Sequence, residues 1–183
     1  MHMRMLERLR AETAEAHEDL DRRHEGGQFV RMEDYGRFLE AQARIFPAAE
    51  DHLAASAEFR TLSDWSERLR AQALMSDLKA LGRPDPTPIA FRFHDRPGVA
   101  AGIAYVLEGS RLGGKLIARK LEQAGLGDAP VAFLTQGADR RFWPSFTRWL
   151  ESREADETYA EDAAAAARAT FSLFLLAIQK AAE

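Results

Sequence analysis

The chain contains no cysteine. That excludes disulfides, thiolate nucleophiles and thiolate ligation of zinc, iron–sulfur clusters or haem iron, so any metal chemistry falls to histidine or oxygen ligands. No hydrophobic run is long enough to cross a bilayer. The opening residues, MHMRMLERLR, lack the apolar stretch of a signal peptide, so a cytoplasmic protein with no membrane partner is expected. Charge of one sign is not concentrated either. A net charge of -4 offers no basic field for a nucleic-acid backbone, and no nucleic-acid partner is expected. P-loop, dinucleotide and nucleophile-elbow signatures are missing. So is the Glu-x-x-His pair that builds carboxylate dimetal centres.

What is present is helix periodicity over 183 residues, enough for one domain with a core and a cofactor-sized cavity. A first helix is expected from Arg4 to about His24, with Leu6, Leu9, Thr13, Ala16 and Leu20 as its apolar stripe and Gly26 and Gly27 stopping it. A second runs from Glu33 to Leu53, with Tyr35, Phe38, Leu39, Ala43 and Phe46 inward and a kink at Pro47. Ser63 reads as the N-cap of a third that ends near Leu81 and Gly82. The prolines of RPDPTP (83–88) make a stiff connector, and residues 89–95 are a short strand or an extended segment. Asp95 then caps a long helix with Pro97 in its first turn, reaching about Ala124. Two more helices follow, from Arg140 to Arg153 and from Asp156 to Ala182. The fold class is all-α, a single multi-helix domain over 1–183 without a convincing sheet.

Two constellations stand out. His17 lies on the apolar face of the first helix with Asp21 one turn later, where a carboxylate can hold one imidazole nitrogen and leave the other for a metal. Arg10, two turns back, faces the same side. A histidine so placed is more often a hydrogen-bonded core residue, and that reading stays open. The second constellation is Tyr105-Val-Leu-Glu-Gly109-Ser110-Arg111-Leu-Gly113-Gly114 inside the long helix. Three glycines there cost roughly 3 kcal/mol of helix stability, so something should offset them. Gly109 and Gly113 bare one helix face, either for close packing of another helix or for a flat ligand against the backbone, unless the stretch is a loop between two helices. His52 and His94 stand near element ends, His24 beside the glycine turn and His2 at the terminus. Trp65, Trp143 and Trp149 read as core anchors.

The two constellations together resemble the haem oxygenase family. LRAETAEAHEDLD (9–21) is similar to its proximal helix, and YVLEGSRLGGKLIARKL (105–121) to its glycine-rich distal helix. Weaker similarity runs through FPAAEDHL, ERLRAQALMSDLKALG and the WPSF region. The resemblance implies haem, both cofactor and substrate, between a proximal and a kinked distal helix. It implies His17 as iron ligand, and Arg10, Thr13, Asp21, Tyr105, Gly109 and Gly113 as haem-binding residues. Gly109, Ser110 and Gly113 would line the oxygen pocket. The implied reaction uses oxygen and electrons, from a ferredoxin or reductase, to give biliverdin, carbon monoxide and ferrous iron, with a bilin photoreceptor as a downstream partner. A haem carrier or sensor without turnover is the alternative. Many relatives place an aspartate where Ser110 stands, and Arg111 or another side chain would have to substitute for it on the distal side.

Overall fold

The expected helices appear as eight α-helices, with no strand among the described residues. The computed structural model describes residues 4–25, 29, 31–153 and 155–182. They form α1 (Met5–Glu25), α2 (Met32–Ala43), α3 (Phe46–Ala55), α4 (Ala71–Ala80), α5 (Val99–Gln123), the short α6 (Ala132–Thr135), α7 (Phe142–Glu151) and α8 (Glu157–Ala181). Gly26, Gly27 and His2 lie outside the described residues, as does the side chain of His24. No described helix is long and apolar enough to cross a membrane.

Several boundaries differ from expectation, each for a physical reason. Pro47 does not kink one long helix; the chain breaks before it, and Pro47 sits in the first turn of α3, where its missing N–H costs nothing. The Arg44 carbonyl at this break instead accepts from the Ile89 N–H at 2.9 Å. Ser63 does not start a helix. Two 3₁₀ turns, Phe59–Thr61 and Trp65–Arg68, precede α4, whose first N–H groups are satisfied by Glu50 of α3. Asp95 does not cap α5 and Pro97 stays outside it. Gly98 precedes the helix at φ 87, a conformation that suits glycine, and its N–H donates to Glu58 at 3.2 Å. Residues 89–95 are extended without strand pairing, with Ile89, Phe91 and Phe93 half-buried against the core. The Asp156 side chain caps α8, accepting from Tyr159 N–H at 2.8 Å.

The architecture centres on α8, which packs against α1, α2 and α5. Its early alanines, Ala160, Ala163, Ala164, Ala166 and Ala167, are buried, and α5 meets them through glycine. A Cβ built on Gly98 would stand 2.4 Å from the Tyr159 carbonyl oxygen, and one on Gly102 would stand 2.0 Å from that of Ala163. Two helices are therefore in backbone contact. Gly102→Ala should lower stability by about 1–3 kcal/mol, the range for overpacking, because the obstacle is backbone and cannot step aside. Denaturant unfolding of the variant checks this, and an unchanged midpoint would contradict the contact.

Candidate functional site

Between α1 and α5 opens a cavity of about 580 Å³, a volume suited to a small-molecule ligand. Arg10, Thr13, His17 and Asp21 line it from α1, and Tyr105, Gly109, Ser110 and Gly113 line it from α5. Every site residue expected from the sequence is thus brought to one space. Phe38 and Gln42 of α2, Phe133 and Leu134 of α6, Trp143 of α7 and Phe171 and Phe174 of α8 complete the walls.

His17 is not a core histidine. Leu9 and Thr13 are buried in the core, whereas His17 stands at the edge of that stripe, 58% exposed toward the open cavity. Its Nδ1 lies 3.0 Å from Asp21 Oδ2, and its ring meets Phe171 edge-on at 5.9 Å. Nε2 has no partner among the described residues. A carboxylate on one nitrogen with the other free is the arrangement a metal-binding imidazole needs. Thr13 is buried on the same stripe and lines the cavity, its hydroxyl donating to the Leu9 carbonyl at 2.7 Å.

The glycines at the start of α5 and within it divide into two kinds, those packed on the backbone of another helix and those that are not. Gly98 and Gly102 serve helix packing. Gly109 and Gly113 do not: a Cβ on Gly113 meets nothing described within 4 Å, and one on Gly109 meets only the Trp143 ring at 3.7 Å. The bare backbone faces the cavity. Gly114 lines the cavity too, but a Cβ there would stand 3.1 Å from the Leu134 carbonyl oxygen, so it packs against α6. Leu112 also lines the cavity while 54% exposed, at its mouth.

Arg111 does not complete the distal side. It is buried behind α5, donating to Glu108 at 3.1 Å, to the Gln136 carbonyl at 3.1 Å and to the Arg68 carbonyl. Arg68 joins the same cluster through Glu108 at 2.6 Å and Asp64 at 2.6 Å. The cation that reaches the cavity beside Ser110 is Arg70, which sequence reasoning missed. Its guanidinium donates to Ser110 Oγ and to the Leu107 carbonyl at 2.8 Å, and lies over the rings of Phe46 and Phe133. Burial, then the charge of Arg111, lower its pKa to about 9, which leaves it cationic at neutral pH. Ser110 donates onward to Leu107 at 2.7 Å, so it offers the cavity an acceptor rather than a proton. Gln42 was also missed; it is buried, lines the cavity, and its amide has no partner among the described residues. Only side-chain polarity marked these residues, and helix periodicity does not tell a buried arginine from a surface one.

His52 and His94 contribute nothing here. His52 packs between Phe91 and Phe93, its pKa lowered by burial, and His94 is exposed. No group of three or more metal-ligating His, Asp or Glu occurs among the described residues. A metal at His17 would therefore arrive with most of its ligands supplied by something other than the protein.

No protein-family model matches the chain. A curated relative, a heme oxygenase from Xanthomonas campestris pv. campestris (strain 8004), is 32% identical over 155 residues, which cover 81% of this chain and 91% of the relative. Among solved structures, the NO- and CO-bound heme oxygenase from Neisseria meningitidis matches with a TM-score of 0.84 at 24% identity, over 98% of this chain and 92% of that one. The structural likeness establishes the fold.

The two kinds of glycine should separate by experiment. Gly113→Ala places its methyl in open space and restores helix propensity, so the ligand-free chain should gain up to about 1 kcal/mol. A loss as large as that of Gly102→Ala in the same unfolding assay would mean that Gly113 packs against protein.

Proposed function

The chain belongs to the haem oxygenase family, and from that premise we propose that it binds haem in the cavity between α1 and α5 and opens it to biliverdin. Carbon monoxide and ferrous iron are the other products. The observation that carries the reading is the juxtaposition of a carboxylate-held imidazole with a free Nε2 and a helix whose glycine backbone is bare toward the same space. Family membership favours turnover over a carrier or sensor of the same fold.

Haem, when bound, supplies the iron that activates oxygen and the porphyrin edge that is oxidised. His17 Nε2 would hold the iron, and Asp21 at Nδ1 would keep the imidazole neutral and fixed in direction. A neutral imidazole there would donate less electron density to the iron than a thiolate would. The backbone at Gly109 and Gly113 would admit a flat ring closely, where a side chain would hold it off. Arg10, which has no ion-pair partner among the described residues, and Tyr105, whose hydroxyl has none either, suit the haem carboxylates at the rim. Phe171, Phe174, Phe133 and Trp143 exclude water from the interior. Arg70 and Ser110 give the wall beside the glycines its polarity. Electrons would come from a ferredoxin or a reductase, and the product would serve iron supply or a bilin-using photoreceptor.

Aerobic turnover of the haem complex with a ferredoxin-type reducing system, followed by chromatography of the pigment, tests the activity. Biliverdin is the expected product, and haem recovered unchanged would overturn it. His17→Ala should abolish the histidine-ligated haem spectrum, with partial recovery on adding imidazole. An unchanged spectrum in that variant would remove His17 from the iron. Asp21→Asn should keep haem but lower the ferrous iron–histidine stretching frequency in resonance Raman spectra, because the amide is a weaker acceptor. If the frequency stays put, Asp21 does not tune the ligand.

A further inference from the structure

Arg70 is held by something that never touches the cavity. Glu50, on α3, is 6% exposed and does not line the cavity. Its Oε1 accepts from the Arg70 N–H at 2.8 Å, and its Oε2 accepts from the N–H groups of Arg70 at 3.0 Å and Ala71 at 2.8 Å. These are the free donors at the start of α4, so the carboxylate fixes the turn from which the Arg70 side chain departs. From that turn the guanidinium passes over Phe46 at 4.8 Å and Phe133 at 4.7 Å and ends on Ser110 and Leu107 of α5. Its Nε and Nη1 have no acceptor among the described residues. Three elements, α3, α4 and α5, are joined in one line.

We propose that Glu50 is a positioning residue for the reaction centre: by holding the Arg70 and Ala71 N–H groups it aims the Arg70 cation at Ser110 and the cavity wall beside the bare glycines. The inference rests on the haem reading above. Its chemical consequence is that this wall attracts anions, where a carboxylate would repel them. The positioning role differs in sign from a charge-balancing one. If Glu50 only offset the charge of Arg70, removing its negative charge would strengthen the pull on an anion. If Glu50 aims Arg70, removing it lets the cation drift and weakens that pull.

Azide, a small anion that ligates ferric haem, is the probe, titrated at neutral pH into the haem complexes of the whole chain. Arg70→Met should weaken azide by about tenfold or more, the scale of one hydrogen bond to a charged group. Glu50→Gln, which loses the charge, and Glu50→Asp, which keeps it but falls short by a methylene, should each weaken azide by about three- to tenfold. In the Arg70→Met background both should have less than about a twofold effect, since a residue acting through Arg70 has nothing left to act on. Tighter azide in Glu50→Gln, wild-type affinity in Glu50→Asp, or equal losses with and without Arg70 would each overturn the proposal. A chain that takes up no haem would be seen before azide is added and would overturn the haem reading instead.

Discussion

The approach of α5 to α8 is the constraint on which the cavity depends. Gly98 and Gly102 have no side chains, so α5 lies directly on the backbone of α8 at Tyr159 and Ala163. The opposite relation holds about two to three turns further along, where Gly109 meets only the Trp143 ring and Gly113 meets open space. One helix thus uses the same residue type for two ends: first to sit down on its support, then to present its backbone. Helix α1 is packed on α8 as well, with Arg168 and Glu12 paired across them at 2.5 Å. The two walls that carry His17 and the bare glycines are therefore joined through a common support.

Behind α5 the buried charges do a different task. Glu108 receives both Arg68 and Arg111, and Arg68 also donates to the Phe142 carbonyl and Ser145. Desolvation offsets much of the attraction in such clusters, so they contribute less to net stability than their short distances suggest. What they supply is orientation, since each N–H has one acceptor in one direction. The cluster fixes the face of α5 opposite the glycines and ties it to α7 and to the 3₁₀ turn at Trp65–Arg68. Arg111, adjacent in sequence to Ser110, is drawn into this cluster and away from the cavity, which leaves Arg70 to approach Ser110 from another element.

Much of this was legible in the sequence because it is local. The apolar spacing along α1 and the His17–Asp21 interval depend on one helix only, and the glycine excess in α5 announced a backbone in use. The elements that went unread are those decided by long-range partners. Ser63 looks like a cap, yet α4 takes its capping acceptor from Glu50, twenty residues upstream. Asp95 looks like another, yet α5 begins where Gly98 can fit against Tyr159. Pro47 was read as bending a helix, whereas the chain stops and restarts, its freed carbonyl taken by Ile89. Arg70 was invisible for the same reason: the aromatic rings and the carbonyl that make a buried cation tolerable come from α3, α5 and α6.

The alanine run at the start of α8 looks, in sequence, like filler chosen for helix propensity. Its position gives it a further meaning. Ala163 and Ala167 touch α5 while the same helix bears α1 on another side. This backbone-to-backbone contact behaves as the gauge block of a vice, setting how far apart the jaws stand. The width of the slot is thus written in residues that no ligand ever meets, and a single added carbon on α8 would be read out at the far face of α5 as a change of aperture.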